Sequence, residues 1–145
     1  MRALVYIDTS MLVKRYLPEL GSDELEARLL AERPRLLASE LIKIEMVSAL
    51  HRRERQGVAD RAFCNAAHAL FLGDLLDRVV ETVRLDSAQV ERSTCLLSEL
   101  RSPLATLDAL HLATAIDQEV AMFFTHDVQL SRAAQEAGLS VWPQF

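Results

Sequence analysis

Residues 3–7 form a continuous apolar run, Ala-Leu-Val-Tyr-Ile, which is typical of a strand buried on both faces of a parallel sheet. Residues 120–125 form a second run of the same kind, and 36–38, 79–85 and 141–142 are shorter strand segments. Helical patterns separate these segments along the chain. Because strands alternate with helices throughout, the sequence predicts an α/β fold built on a parallel sheet.

Capping and helix-breaking residues predict where the helices begin and end. A Ser or Thr at a helix N-terminus accepts a hydrogen bond from a free backbone N–H, whereas Pro and Gly favour helix ends. The expected N-caps include Thr9 or Ser10, Ser22, Ser39 and Thr106. The predicted helices cover 11–16, 23–33, 40–56, 60–72, 87–100, 107–117 and 127–138.

The chain has 145 residues, the size of one ordinary domain, and it contains no repeat, linker or low-complexity stretch. We therefore expect a single domain over 1–145. The formal net charge is −5, from 21 acidic residues against 16 Lys and Arg. Nucleic-acid-binding proteins are more often basic, but a divalent metal bound by several acids would offset that charge locally.

No apolar run reaches the roughly 18 residues that span a membrane, and the N-terminus carries no cleavage signature. The two cysteines, Cys64 and Cys95, lack the close spacing of a zinc site. These features predict a soluble cytoplasmic protein with reduced thiols and no membrane partner.

Two acids follow buried strands. Asp8 comes directly after the 3–7 run, and Asp127 lies two residues beyond 120–125. Ligand sites of open parallel sheets lie beyond the carboxyl ends of the strands, which places both carboxylates for chemistry. Either acid can instead cap the helix that follows, because aspartate is a preferred N-cap.

Two further acids lie on largely apolar helices. Glu45 shares a helix face with Leu41 and Ile44. Burying an unpaired carboxylate on such an apolar face costs roughly several kcal/mol of folding free energy. Asp108 lies in a first helical turn, where the helix dipole stabilises it by about 0.3–1 kcal/mol. A cation can pair with either acid, and a salt bridge to an arginine is the alternative for Glu45. His111, one turn after Asp108, is interpreted as a core histidine rather than a ligand, since imidazole suits softer metals.

Acids at two strand ends and on two helices that cover the same sheet can converge at one edge of that sheet. Such a set of hard oxygen ligands suits Mg²⁺, with Mn²⁺ also possible. It leaves room for water and a substrate phosphate, and it can activate the water for hydrolysis of a phosphodiester. The predicted ligands are Asp8, Glu45, Asp108 and Asp127.

Four segments form a pattern in their order and separation. They are Tyr-Ile-Asp-Thr-Ser-Met-Leu-Val-Lys-Arg-Tyr at 6–16, Leu-Ile-Lys-Ile-Glu-Met-Val-Ser-Ala-Leu at 41–50, Leu-Asp-Ala-Leu-His-Leu-Ala-Thr-Ala at 107–115, and Phe-Phe-Thr-His-Asp-Val-Gln-Leu at 123–130, with Ala-Gly-Leu-Ser-Val at 137–141 after it. Each is a weak motif alone, but together they closely resemble PIN-domain nucleases, especially the VapC-type toxins of bacterial toxin–antitoxin pairs. The resemblance spans essentially the whole chain.

The resemblance implies a parallel sheet of about five strands with helices on both faces, homodimers, and a small antitoxin that blocks the active site. It also selects RNA over DNA, so the expected activity is that of a magnesium-dependent endoribonuclease. The family's catalytic, metal-binding acid positions fall on Asp8, Glu45, Asp108 and Asp127. Its supporting hydroxyl positions fall on Thr9 or Ser10, and on Thr125.

Two basic segments are candidates for contacts with RNA phosphates. Lys14 and Arg15 lie one turn beyond Asp8 and are the better candidates, although a solvated surface explains them too. The basic run at 51–55 ends a helix before Gly57, where cations favour the helix dipole, and we prefer that explanation for it.

Two other classes of protein fit part of the pattern. A receiver-like phosphoacceptor module also has acids at strand ends, but it needs a lysine after its last strand, and residues 141–143 contain none. A non-catalytic PIN-like interaction domain would use the acids only to bind a basic partner. Calorimetry with magnesium distinguishes that domain from an enzyme.

Overall fold

The structure is a computed structural model that describes the whole chain, Met1–Phe145. Five strands and seven α-helices follow one another, with a 3₁₀ helix at Val13–Arg15. The strands are β1 (Leu4–Ile7), β2 (Arg35–Ser39), β3 (Val80–Val83), β4 (Met122–Phe124) and β5 (Val141–Trp142). The helices are α1 (Thr9–Leu12), α2 (Ser22–Glu32), α3 (Ile42–Arg55), α4 (Arg61–Leu76), α5 (Ser87–Glu99), α6 (Thr106–Asp117) and α7 (Val128–Glu136).

All neighbouring strands pair in parallel, in the order β3-β2-β1-β4-β5. The chain moves outward from β1 to β2 and β3, and then crosses to the other side of β1 to form β4 and β5. This reversal creates a switch point between β1 and β4, which is where open α/β sheets bind ligands. The predicted parallel α/β fold with about five strands is confirmed.

The strand order also excludes the receiver-like alternative. A receiver-like sheet has the order 2-1-3-4-5, in which the first strand pairs with the second and the third. Here β1 pairs instead with β2 and β4. The acids at the strand ends therefore belong to a different topology.

Helices cover both faces of the sheet, because successive strand residues point to opposite sides. Along β1, Val5 and Ile7 belong to a core shared with α1 to α4, whereas Tyr6 belongs to a second core shared with α6 and α7. Helix α5 packs on α6. None of the helices combines the length and the apolar character needed to cross a membrane.

The predicted N-caps Ser22, Ser39 and Thr106 are wrong. Ser39 is the last residue of β2 and is fully buried, so α3 begins only after a further turn. Ser22 and Thr106 are the first residues inside their helices, and the capping positions are Gly21 and Ala105. Gly21 has a φ of 93°, a left-handed conformation that glycine adopts without steric cost. Helix α2 therefore begins one residue earlier than a serine cap would place it, because the chain enters the helix through the left-handed conformation of Gly21.

The two faces of α2 allow a direct test of the core. Leu25 is 1% exposed and packs in the core beside α1 to α4, whereas Leu30 on the same helix is 67% exposed. We expect Leu25→Ala to lower the free energy of unfolding by about 2–5 kcal/mol, because it leaves a cavity. Leu30→Ala should change it by less than about 0.5 kcal/mol. Urea denaturation measures both, and equal losses would contradict the burial of Leu25.

Candidate active site

A cavity of about 480 Å³ opens at the switch point between β1 and β4. All four predicted acids line it: Asp8 after β1, Glu45 on α3, Asp108 on α6 and Asp127 after β4. A second cavity of about 500 Å³ contains none of these acids. The fold therefore brings together carboxylates that are far apart in sequence, and we take the acidic cavity as the candidate site.

Asp8 lies at the inner end of this cavity and is 4% exposed. Its carboxylate caps α1 by accepting a hydrogen bond from the Met11 N–H (3.1 Å), so the prediction that Thr9 or Ser10 is the cap was wrong. The hydroxyls of Ser10 and Thr125 also donate to Asp8, at 2.8 and 2.6 Å. Burial raises the pKa of Asp8, and these hydrogen bonds offset that rise only in part.

The same two hydroxyls are themselves fixed by the turn after β4. The His126 N–H donates to Ser10 Oγ (2.9 Å), and the Asp127 N–H donates to Thr125 Oγ (3.0 Å). Each hydroxyl thus accepts from the backbone and donates its own hydrogen to Asp8. This arrangement orients the Asp8 carboxylate with neutral donors.

Glu45 is held in a similar way from the other side of the cavity. The Thr9 hydroxyl donates to Oε1 (2.8 Å), and His111 Nε2 contacts the same oxygen, which leaves Oε2 without a protein partner. Burial raises the pKa of Glu45, but the interactions with His111 and Thr9 lower it by more, so the net shift is downward. Ile44, expected on the same buried face, is exposed at the rim of the cavity.

A buried chain of hydrogen bonds engages both ring nitrogens of His111. Burial lowers the pKa of His111, but the hydrogen bond to Glu45 and the charge of Glu45 raise it by more, so the net shift is upward. The Ser39 N–H donates to the Tyr6 hydroxyl (2.9 Å), so the Tyr6 hydrogen is free to be donated to His111 Nδ1. Because Nδ1 then accepts, the neutral ring carries its hydrogen on Nε2 and donates it to Glu45. Both ring nitrogens are engaged, which agrees with the interpretation of His111 as a core histidine.

Asp108 differs from Asp8 and Glu45 because no side chain or backbone group donates to its carboxylate. Burial, followed by the negative charges of Asp127 and Asp8, raises its pKa to about 6. Its position in the first turn of α6 is favourable for an anion but does not remove this repulsion. Asp108 is therefore the acid that most needs a cation.

Asp127 serves two purposes in the structure. One oxygen, Oδ1, caps α7 by accepting from the N–H groups of Gln129 (2.9 Å) and Leu130 (3.2 Å), as the capping alternative predicted. The residue also lines the acidic cavity, and its second oxygen has no protein partner. Capping and a place in the site are thus compatible.

The two predicted RNA-contact residues are in different places. Lys14 lines the acidic cavity, but it is 7% exposed and its Nζ pairs with Glu19 Oε1 (3.2 Å). Arg15 lines the other cavity, where its Nε pairs with Asp74 Oδ2 (2.7 Å). The structure does not bring Arg15 to the acids.

Tyr6 supports the site although nothing in the sequence predicts this, and Arg52 lines it although the helix dipole is the preferred explanation for the basic run at 51–55. Tyr6 was counted only as part of an apolar strand, because nothing local indicates that its hydroxyl contacts His111. Arg52 was attributed to the helix dipole, although it lies seven residues, or about two turns, after Glu45 on the same helix face. That spacing was the signal that could have placed it in the cavity.

The donor set is compatible with a magnesium or manganese ion. No three His, Cys, Asp or Glu side chains stand close enough together to enclose a metal ion by themselves. Mg²⁺, however, is usually held by one or two carboxylates, with water or phosphate in its remaining positions. The unpartnered carboxylate of Asp108 and the free oxygens of Glu45 and Asp127 are hard anionic donors, so their chemistry fits such an ion.

Three solved structures illustrate how the fold compares with known proteins. VapC20 of Mycobacterium tuberculosis, described as a sarcin-ricin loop cleaving toxin, is 17% identical with a TM-score of 0.67, and the match covers 93% of this chain and 95% of that one. A toxin–antitoxin complex from Klebsiella pneumoniae is 17% identical with a TM-score of 0.67, covering 97% and 98%. VapBC2 from Rickettsia felis, bound to a promoter DNA fragment, is 15% identical with a TM-score of 0.66, covering 95% and 96%.

At such low identity these structures show a shared fold. No curated protein sequence gives a significant match. The sequence model of the PIN domain, in contrast, matches residues 5–136, which extends from β1 through α7. Because that match covers most of the chain and includes all four acids of the cavity, the chain belongs to the PIN domain family.

Proposed function

We propose that this protein is a metal-dependent endoribonuclease that acts as the toxin of a toxin–antitoxin pair. The observation that carries the proposal is the convergence of four acids in one cavity, where no Lys or Arg pairs with any of them. Like charges gathered in a partly buried site destabilise one another. Acids are therefore clustered in this way mainly at functional sites, where a bound cation offsets the repulsion between them.

Each acid has a distinct part in this proposal. Ser10 and Thr125 hold Asp8, and Thr9 with His111 holds Glu45, so both carboxylates are oriented before any ligand binds. Asp108 and Asp127 supply oxygens that have no protein partner. A divalent cation bound by these acids would provide an activated water and would stabilise the attacking and leaving oxygens of a phosphodiester displacement.

The choice of RNA and of a toxin role is supported by the family and by the similar structures. One of these is described as a toxin that cleaves the sarcin-ricin loop, and another is described as a toxin–antitoxin complex. We therefore propose an RNA substrate, a small antitoxin that covers the acidic cavity, and a homodimeric toxin in the cytoplasm. The whole chain, 1–145, is proposed to form this one nuclease domain.

Substitution of Asp8 tests the proposed activity. Asp8→Asn keeps a good helix cap, because asparagine is also a preferred N-cap, but it removes the negative charge. We expect wild type to cleave RNA with Mg²⁺ or Mn²⁺ but not with a chelator, and the variant to lose about 100-fold or more of that activity. Gel analysis of a defined single-stranded RNA measures both.

The proposal would fail if purified wild type cuts no RNA with either metal, or if Asp8→Asn cuts equally well. Calorimetry with magnesium distinguishes the enzyme from a non-catalytic interaction domain. If wild type binds no more magnesium than an Asp8→Asn, Asp108→Asn double variant, the non-catalytic interaction domain becomes the better explanation.

Substitution of Asp108 tests the raised pKa of its carboxyl group in the metal-free protein, which burial and then the neighbouring acids produce. A carboxylate whose folded pKa is raised to about 6 contributes stability at low pH, and loses it as pH rises through that value. We expect the Tm of Asp108→Asn, relative to wild type, to increase from about pH 4 to pH 7 and then level off. Magnesium should raise the Tm of wild type more than that of the variant.

Asp77→Asn is the matched control for that measurement, because Asp77 is exposed and lies outside the cavity. Thermal unfolding in chelator, followed across this pH range, gives the comparison. A difference between Asp108→Asn and wild type that is constant with pH would contradict the raised pKa of Asp108.

Substitution of His111 tests its part as a positioning residue for Glu45. His111→Leu removes the Nε2 donor, whereas the amide of His111→Gln can still donate near that position. We expect His111→Leu to lower kcat about 10- to 100-fold with little change in KM for RNA, and His111→Gln to retain much of kcat. If both variants fold, as monitored by circular dichroism, and lose kcat equally, hydrogen-bond donation to Glu45 is not the role of His111.

A further inference from the structure

Three Lys and Arg side chains line the acidic cavity: Lys14, Arg52 and Arg53. Two of them are already paired with Glu19. Arg53 donates to it through Nε and Nη2, at 2.9 and 2.8 Å, and Lys14 Nζ lies 3.2 Å from the same carboxylate. Their charges are therefore partly neutralised, and Glu19 holds their side chains in place.

Arg52 is different. It is exposed, and its guanidinium makes no ion pair or hydrogen bond within the protein. It follows Glu45 by seven residues and Ser48 by four on α3, so the three side chains share one helix face. All three line the cavity. The free cation and the acids thus lie along the same wall, about two turns apart.

The helix dipole alone does not account for this placement. Arg52, Arg53 and Arg55 all lie in the last turn of α3, where the dipole favours a cation at each position. Arg55 is also exposed and without an ion pair, yet it does not line the cavity. Position relative to the acids is what separates Arg52 from Arg55, and that difference points to a ligand in the cavity.

We infer that Arg52 binds a backbone phosphate of the RNA strand next to the phosphate that is cleaved. The inference rests on the proposed ribonuclease function and adds a substrate-binding residue to it. The acids require a cation before they can accept an anionic strand, whereas Arg52 attracts a phosphate directly. Its planar guanidinium can donate two parallel hydrogen bonds to phosphate oxygens. Because every nucleotide has this phosphate, Arg52 positions the strand without selecting its sequence.

The test compares Arg52→Gln with Arg55→Gln, a matched pair from one helix turn. The substrate is a short single-stranded RNA that wild type cleaves, assayed with Mg²⁺ over a series of salt concentrations. We expect Arg52→Gln to raise KM about 10-fold, with a smaller effect on kcat. The slope of log(kcat/KM) against log[salt] should fall by about 0.7, as expected for one lost phosphate contact. Arg55→Gln should match wild type in both quantities.

Arg52→Lys adds a second comparison, because it keeps the charge but cannot form the two parallel hydrogen bonds. Arg52→Lys should show the salt dependence of wild type, whereas its KM should lie between those of wild type and Arg52→Gln. The thermal unfolding of all three variants should match that of wild type, since both arginines are exposed.

The inference is overturned if Arg52→Gln and Arg55→Gln have the same KM and salt slope, whether both match wild type or both are weakened. These outcomes leave the ribonuclease itself intact, because wild type still cleaves the RNA. If wild type neither cleaves RNA nor binds it in a fluorescence anisotropy measurement, the proposed function fails and the role of Arg52 fails with it.

Discussion

The carboxylate of Asp8 joins three parts of the structure at the edge of the sheet. Asp8 directly follows β1, and its carboxylate caps α1 through the Met11 N–H and accepts hydrogen bonds from the hydroxyls of Ser10 and Thr125. Thr125 in turn lies beyond β4, on the far side of the switch point. A carboxylate this buried has to be satisfied by hydrogen bonds, and these bonds set the relative positions of β1, α1 and the turn after β4. The cavity exists because these segments meet there.

The donors to these acids are mostly neutral, which determines the electrostatics of the cavity. Hydroxyls, a backbone N–H and an imidazole orient Asp8 and Glu45, whereas Lys14 and Arg53 are taken by Glu19. An arginine partner would have satisfied an acid and cancelled its charge. Neutral donors satisfy the oxygens and leave the charge available for a cation. Burial, together with the uncompensated charges of Asp127 and Asp8, raises the pKa of Asp108.

Much of the fold followed from local patterns. The apolar run of β1, flanked by helical segments, indicated a parallel sheet, and its two-sided burial produces the two cores. The helix starts were less predictable, because Ser and Thr capping preferences are weak against strand pairing. Ser39 shows this: it continues the pairing of β2 with β3 and is buried before α3 begins. Asp127 shows the opposite case, since its local preference for the cap is realised.

The sequence by itself determined the parallel α/β class, and it predicted the four acids that line the cavity. Both depend on patterns within short segments: continuous apolar runs, acids directly after strands, and acids on apolar helices. Only the tertiary structure decided the partners of those acids and of the nearby cations. Tyr6 and His111 are 105 residues apart and Arg53 and Glu19 are 34 apart, and such pairings depend on how whole elements pack. For the same reason, local sequence could not show that Arg52 remains free beside the acids while Lys14 and Arg15 are paired.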